Sequence, residues 1–225
     1  MKKLLITICL LGWYTISIAQ VTSDALLKYK YSVVRVGYVG KTGMSYGQGF
    51  IAGQRGDSIF IVTAAHVLHG DKYDNTVYDI VLFPDSSTCK ASILYQGKSH
   101  VLQDDIAILA VKKPDHYAWP KVKDNKNRLN VEMNLFFINN RDISNIQFED
   151  TSANALNYDS TKTFTVYLPS VKRGDSGSAI WRGGDIGIAG MLSQSKFDGT
   201  GLCDAIGMCT IRAIFRKYCK MEIFN

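Results

Sequence analysis

The sequence lacks the patterns that mark common metal sites. It holds five cysteines and four histidines in 225 residues, but no Cys-x-x-Cys pair and no cluster of the two residue types at metal-ligand spacing. The segment Asp-Lys-Tyr-Asp-Asn at residues 71–75 lacks the alternating ligands and closing acidic residue of a strong calcium loop. We therefore expect no metal site and no cofactor.

The excess of positive charge is also small. The formal net charge is +6, and it falls to about +4 when Lys2 and Lys3 at the start of the chain are left out. Because the remaining charge is weak and scattered, nucleic acid is not an expected partner. A hydrophobic content of 46% with 20% charged residues excludes a disordered chain, and the length fits one compact unit.

The first 19 residues have the pattern of a secretory signal peptide. Lys2 and Lys3 precede an apolar stretch over residues 4–18, which ends in a site with small residues at Ser17 and Ala19. The alternative is a retained membrane anchor, since the stretch approaches spanning length. The small residues favour cleavage near Ala19, which predicts a secreted or periplasmic protein that starts near Gln20 and keeps no stable membrane span.

Export changes how the cysteines are interpreted. Outside the leader, which contains Cys9, four cysteines remain, and an even number in an oxidising compartment favours one or two disulfides. In one possible arrangement Cys209 forms a disulfide with Cys219, and in another it forms one with Cys203. Buried free thiols are the other possibility, and Cys89 is the fourth residue of this set.

The local pattern is mostly β. Short runs of β-branched and aromatic residues alternate with turn residues on both sides of a polar, lysine-rich connection at 112–130, which contains two prolines. The predicted strands are 33–39, 49–53, 58–62, 77–83, 89–95 and 105–111 in the first half, and 131–138, 146–149, 163–168, 178–181, 186–192 and 202–206 in the second.

A serine between glycines is the first candidate for chemistry. Residues 174–178 read Gly-Asp-Ser-Gly-Ser, and glycine permits the tight turn that aims successive backbone N–H groups at one point. The N–H groups of Gly174 and Ser176 are the candidate donors of an oxyanion hole, with Asp175 holding the turn. The alternative is an ordinary polar loop, since these residue types dominate turns.

A serine nucleophile needs a base and a group that orients the base. His66 follows an apolar strand and the small step Thr-Ala-Ala, whereas His69 lies beyond that step and ranks below it. Asp105 opens an apolar run, where a carboxylate carries a desolvation cost that an imidazole partner would offset. Asp104 is the alternative acid, with solvation at the start of the strand as its expected environment.

Together these segments resemble the trypsin/chymotrypsin-fold serine peptidases over about residues 30–218. The resemblance implies an all-β fold of two six-stranded antiparallel barrels, with the active site in the cleft between them and a short C-terminal helix. After the signal peptide at 1–19, it implies a first barrel at 20–120 and a second at 121–225. The family's triad then falls on His66, Asp105 and Ser176, in a serine endopeptidase that forms an acyl-enzyme. The matching motifs are residues 47–50, 62–66, 105–109 and 174–178.

Two details make the sequence resemble the bacterial members of the family, the glutamyl-endopeptidase-like and HtrA-like domains, more than digestive trypsin. Val67 stands where animal members have cysteine, and no Ile-Val-Gly-Gly start follows the leader. We therefore expect Asp175 to form the turn locally instead of pairing with a new N-terminus. Residues 205–218 resemble the last strand and closing helix of an HtrA protease domain, and no PDZ-like segment follows.

The resemblance also assigns a substrate pocket. Ser170 stands where tryptic enzymes place an aspartate, so a preference for Lys or Arg lacks its counter-charge. Lys172 and Arg173 precede the serine turn and either attract acidic side chains or form a solvated pair. The strand at 190–195 resembles the one that pairs with substrate. The predicted substrate-binding residues are Ser170, Arg173, Ser193, Ser195 and Gly201.

Two classes of function remain open at this point. One is the peptidase acting on peptides or proteins, and the other is a peptidase-fold protein that binds them without turnover. The complete set of His66, Asp105 and Ser176 favours the enzyme. An esterase of the α/β-hydrolase type is excluded because no histidine follows Ser176.

Overall fold

The computed structural model describes residues 28–40, 43–68, 78–124, 135–138, 146–148, 162–168, 171–182, 187–195 and 201–224. Over these residues the chain is mostly β, with two mainly antiparallel sheets and a C-terminal α-helix. The predicted signal peptide and the segment at 71–75 lie outside the described residues.

The first sheet curls so that its two ends are neighbours along the chain. Its spatial order is β5-β4-β1-β2-β3-β7-β6, and a single residue, Ala91, separates β5 from β6. The amide of Ala91 donates to Asp79 O at 2.9 Å, which holds this junction against β4. The strands are β1 (Val33–Gly40), β2 (Gly43–Arg55), β3 (Ser58–Thr63), β4 (Tyr78–Leu82), β5 (Thr88–Lys90), β6 (Ser92–Gln96) and β7 (Ala107–Lys112).

The six runs predicted for the first half all form strands, with three differences. The run at 89–95 was predicted as one strand, and Ala91 divides it into β5 and β6. Strand β2 starts at Gly43 instead of 49, because β1 pairs with it continuously from Gly43 to Phe50. This glycine-rich part has little apolar pattern, so its backbone hydrogen bonds to β1, and not its side chains, define it as a strand. The run at 105–111 begins later than predicted. Asp105 follows a 3-10 turn at Leu102–Asp104 and precedes β7.

The second sheet holds the remaining strands. Its order is β10-β9-β12-β13-β14-β11, and the short β8 pairs with β13 in parallel. Strand β8 was not predicted, because two residues within a polar connection carry no periodic pattern. The strands are β8 (Lys123–Asp124), β9 (Leu135–Ile138), β10 (Ile146–Phe148), β11 (Thr163–Tyr167), β12 (Ala179–Arg182), β13 (Gly187–Ser195) and β14 (Leu202–Gly207).

The helix α1 (Met208–Cys219) follows β14 directly and packs back on the first sheet. Its buried residues Ile211, Phe215 and Cys219 recur every four positions and so lie on one face. Phe215 meets Phe60 of β3 edge-to-face, with the ring centroids 6.0 Å apart. Burial of one such ring contributes about 1.5–3 kcal/mol, so the helix ties the end of the chain to the first sheet.

The four cysteines outside the leader are thiols in the structure. Cys209 and Cys219 both lie on helix α1, ten residues apart. A rise of 1.5 Å per residue separates them by about 15 Å. A disulfide requires Cα atoms within about 7 Å, so this pairing is excluded. The alternative pairing with Cys203 is not formed either.

Among the described residues, no helix combines the length and apolar character needed to span a membrane.

Candidate active site

His66 lies just beyond the end of β3. Thr63 closes the strand, and the small, buried Ala64 and Ala65 allow the chain to turn into a 3-10 segment at Ala65–Val67. The carbonyl of Ala65 accepts a hydrogen bond from Gln96 Nε2 at 3.3 Å. The main chain is therefore fixed on both sides, while the His66 side chain is 37% exposed.

Asp105 is buried, with 2% of its surface exposed, and its carboxylate accepts three hydrogen bonds. His66 supplies two of them, from its backbone N to Oδ1 at 3.0 Å and from Nδ1 to Oδ2 at 2.8 Å. The hydroxyl of Ser193, on β13 of the other sheet, donates to Oδ2 at 2.5 Å. These bonds offset the cost of taking a carboxylate out of water, and they join the two sheets at this residue.

The pairing fixes the chemical state of the imidazole. A carboxylate can only accept, so Nδ1 of His66 must carry the proton in the 2.8 Å contact with Asp105. In a neutral ring, Nε2 is then the unprotonated nitrogen with a lone pair. This is the state that a general base requires.

The adjacent Asp104 is engaged elsewhere. Its carboxylate accepts hydrogen bonds from the hydroxyl of Tyr95 and, at 3.0 Å, from the amide of Lys98. Burial and the hydrogen bond to Asp104 raise the pKa of Tyr95. Asp105, and not Asp104, is therefore the partner of His66. The second candidate base, His69, lies outside the described residues.

The turn that carries Ser176 is held by its own backbone and by Asp175. The amide of Asp175 donates to Lys172 O at 3.1 Å, and its buried Oδ2 accepts from the Lys172 amide at 2.6 Å. The amide of Ser178 donates to Asp175 O at 3.0 Å. Asp175 thus closes the turn locally, as the sequence predicted.

Two glycines of this turn have backbone angles that other residues avoid. Gly174 has φ +87° and Gly177 has φ +88°. A methyl group on Gly177 would also come within 2.0 Å of Gln48 O and 2.6 Å of Thr63 Oγ1. The turn therefore packs directly on the backbone of β2 and β3.

Gly47 is where the serine turn and the histidine segment meet. A methyl group there would lie 2.8 Å from Ser176 O and 2.5 Å from the side chain of Val67, which follows the histidine. The amide of Gln48 donates to Ser176 O at 2.8 Å. The structure therefore brings Ser176 and His66 to the same part of β2.

Both Ser176 and His66 are among the described residues, and the Ser176 hydroxyl makes no hydrogen bond with the His66 ring. Contacts between nucleophile and base are often long without substrate and tighten in the reacting complex. The structure thus assembles two of the three groups in contact and places the third nearby.

The predicted substrate-binding residues fall in different settings, and their roles stay predictions. Arg173 is exposed in the serine turn, and Gly201 precedes β14 with φ +72°. Ser193 is 1% exposed, and its bond to Asp105 was missed by sequence reasoning. Ser195 is the last residue of β13, whereas Ser170 lies outside the described residues.

The described residues contain no group of three or more His, Cys, Asp or Glu residues that could hold a metal ion.

A family model described as the trypsin-like peptidase domain matches residues 47–188, more than half of the chain. The chain belongs to the trypsin-like peptidase family. The matched region starts at Gly47, where the turn meets β2, and contains His66, Asp105 and Ser176. A search of curated proteins finds no match for this trypsin-like peptidase.

Solved structures with the same fold are proteases of low sequence identity. A serine endoprotease from Yersinia pestis matches with a TM-score of 0.63 and 18% identity, over 88% of this chain and 66% of that protein. The active form of a protease from M. tuberculosis matches with a TM-score of 0.60 and 16% identity, over 84% of this chain and 82% of that protein. At these identities the likeness shows the fold alone.

Proposed function

We propose that this trypsin-like peptidase is a serine endopeptidase that cleaves peptide bonds through an acyl-enzyme at Ser176. The observation that carries the proposal is the contact of 2.8 Å between His66 Nδ1 and the buried Asp105 carboxylate. It leaves Nε2 of the partly exposed ring as the acceptor, and the serine turn packs on the same part of β2.

These positions support the following reaction. Nε2 of His66 takes the proton of the Ser176 hydroxyl as its oxygen attacks the carbonyl carbon, and the N–H groups of Gly174 and Ser176 stabilise the oxyanion. His66 then gives the proton to the leaving amine, and water releases the acyl group by the same route. Asp105 stays ionised throughout and holds the ring in the required tautomer.

The proposal includes an architecture of two six-stranded barrels with the site between them. The curl of the first sheet supports it, because β5 and β6 lie at opposite ends of the strand order and adjoin through Ala91. The bond from Ser193 to Asp105 supports a site at the junction of the sheets. His66 and Asp105 then belong to the first barrel and Ser176 to the second.

We also propose that the substrate side chain next to the cut is not Lys or Arg. Ser170 stands where tryptic enzymes place an aspartate, and the exposed Lys172 and Arg173 add positive charge beside Gly174 of the serine turn. Profiling with a peptide library tests this. We expect cleavage after residues other than Lys and Arg, and a dominant tryptic pattern would refute it.

Export belongs to the same proposal. The leader at residues 1–19 carries it, since Lys2 and Lys3, an apolar stretch and Ala19 follow the order of a cleavable signal. Peptide or protein substrates would then be met outside the cytoplasm. N-terminal sequencing of the exported protein should start near Gln20, whereas a start at Met1 would support the membrane-anchor alternative.

The activity itself is tested by turnover of cleavable peptides. We expect the wild-type protein to cleave and Ser176→Ala to lose kcat by on the order of 10⁶-fold, because the nucleophile and its base act as a unit. If the wild-type protein binds peptides but releases no product, the proposed enzyme is wrong and the protein is a peptide-binding protein.

A further inference from the structure

Gln48 is a buried polar residue at the contact between the two sheets. It is 1% exposed, and an unpaired amide in such a position is costly. Its backbone N donates to Ser176 O at 2.8 Å, and its side-chain Nε2 donates to Gly174 O at 3.4 Å. Its own carbonyl accepts from Thr63 Oγ1 at 2.6 Å. One residue of β2 therefore holds two carbonyls of the serine turn.

The two carbonyls belong to the residues that matter most for the proposed reaction. The oxyanion donors are the N–H groups of Gly174 and Ser176, and Gln48 bonds the C=O of each. A C=O lies in one plane with the N–H of the next residue, and it is joined to the N–H of its own residue through that residue's φ and ψ torsions. Glycine restricts these torsions least, and Gly174 stands at φ +87°. The bonds from Gln48 therefore add to those that Asp175 makes inside the turn, and they tie the turn to β2.

The orientation of the carboxamide follows from its surroundings. If its two ends were exchanged, Oε1 would face Gly174 O and two acceptors would meet without a proton. The nitrogen must therefore face the turn.

The oxygen of the carboxamide argues against a role in stability alone. Oε1 is buried and has no partner among the described residues, and the same is true of Nε of Arg35, directly across on β1. An apolar side chain of similar size would avoid this unpaired oxygen. The contact of Nε2 with Gly174 O is thus the feature of Gln48 that an apolar residue could not replace.

We propose that Gln48 is a positioning residue that fixes the oxyanion turn, holding both donor residues by their carbonyls from the sheet that carries His66. The proposal rests on the proposed function, since it assigns the turn a part in catalysis. Gln48 touches neither substrate nor the reacting atoms, and it acts through Gly174 and Ser176.

The first test replaces Gln48 by the unbranched, apolar methionine. Loss of an oxyanion donor itself costs about 10²–10³-fold in kcat. For a donor that stays present but loses its support, we expect Gln48→Met to lower kcat about tenfold, with KM within about twofold of the wild type. A change in KM alone, or an unchanged kcat, would overturn the proposal.

Gln54 provides the matched control on the same strand. Its Nε2 donates to Gly56 O at 2.7 Å on the exposed part of β2, away from the serine turn. Gln54→Met should leave kcat and KM unchanged within error. Equal losses in both variants would mean that β2 tolerates no methionine, and the role assigned to Gln48 would be lost.

A second variant gives a pH signature. In Gln48→Glu the ionised carboxylate faces Gly174 O and cannot donate, whereas the neutral carboxyl group can. Burial raises the pKa of this carboxyl group and Arg35, directly across on β1, lowers it, but in either case the neutral form gains as pH falls. The kcat of this variant relative to the wild type should therefore increase as pH falls, while the ratio for Gln48→Met stays flat. A flat ratio for both variants contradicts the proposed contact.

Amide hydrogen exchange separates this proposal from the proposed function. Gln48→Met should speed exchange in the segment 172–177 about tenfold and leave β3 unchanged. If the wild type proves unreactive as a peptidase, exchange still decides whether Gln48 holds the turn. If the wild type is active and neither kcat nor exchange changes in the variant, Gln48 has no positioning role while the peptidase stands.

Discussion

At the scale of single residues, two adjacent aspartates have different partners. Asp105 accepts two hydrogen bonds from His66 and one from Ser193, whereas Asp104 is bound to Tyr95 and a backbone amide. The sequence predicted this choice from the apolar run that follows Asp105. It did not predict the bond from Ser193, because that contact joins residues 88 positions apart and depends on how the sheets meet.

The two aspartates make a matched pair of variants. Asp105→Asn should lower kcat about 10⁴-fold, because an amide at this position favours the wrong histidine tautomer. Asp104→Asn should keep kcat within about threefold, and it should lose about 1 kcal/mol of unfolding free energy through its weakened hydrogen bonds. Steady-state kinetics and urea unfolding check both. A larger loss of kcat in Asp104→Asn would reverse the assignment.

At the scale of elements, the glycines define how the serine turn meets β2. The sequence identified the turn from its residue types, and it identified most strands from alternating runs. It could not show that Gly47 and Gly177 are required for close approach between segments more than a hundred residues apart. That requirement appears only when the backbones are placed together.

Gly177 and Gly56 separate backbone strain from steric contact. Both have positive φ, but a methyl group on Gly56 meets nothing within 4 Å, whereas on Gly177 it meets the backbone of β2 at 2.0 Å. Gly56→Ala should cost about 1–2 kcal/mol of unfolding free energy without a change in kcat. Gly177→Ala should cost more and also abolish most of the activity. Thermal unfolding with kinetics tests this, and similar effects of both changes would contradict it.

The helix α1 makes a prediction about its last residue. Burial raises the pKa of the Cys219 thiol to about 11, although nearby Arg55 opposes the shift. Because the thiolate is the reactive form, alkylation of Cys219 in the folded protein should be slow at pH 8 and rise about tenfold per pH unit towards 11. Mass spectrometry of iodoacetamide-treated protein measures this rate. Fast modification at pH 8, or a disulfide between Cys209 and Cys219, would contradict the structure.

At the scale of the whole molecule, the order of motifs in the sequence was enough to predict the family and a mostly β fold. The six runs of the first half follow from local patterns, whereas the closing helix was expected from the family resemblance. Strand β8 could not be predicted, because it depends on pairing between distant segments. For the same reason the curl of the first sheet was expected only from the family resemblance and not from local patterns. The proposed residue preference rests on Ser170, which lies outside the described residues.

The central claim is that His66, Asp105 and Ser176 act together on a carbonyl group. A fluorophosphonate probe tests it directly, because it reacts with a serine only when a base activates the hydroxyl. We expect mass spectrometry to map the label to Ser176 in the wild type, with slow labelling in His66→Ala and none in Ser176→Ala. Labelling that persists in Ser176→Ala, or a wild type that does not react, would contradict the account.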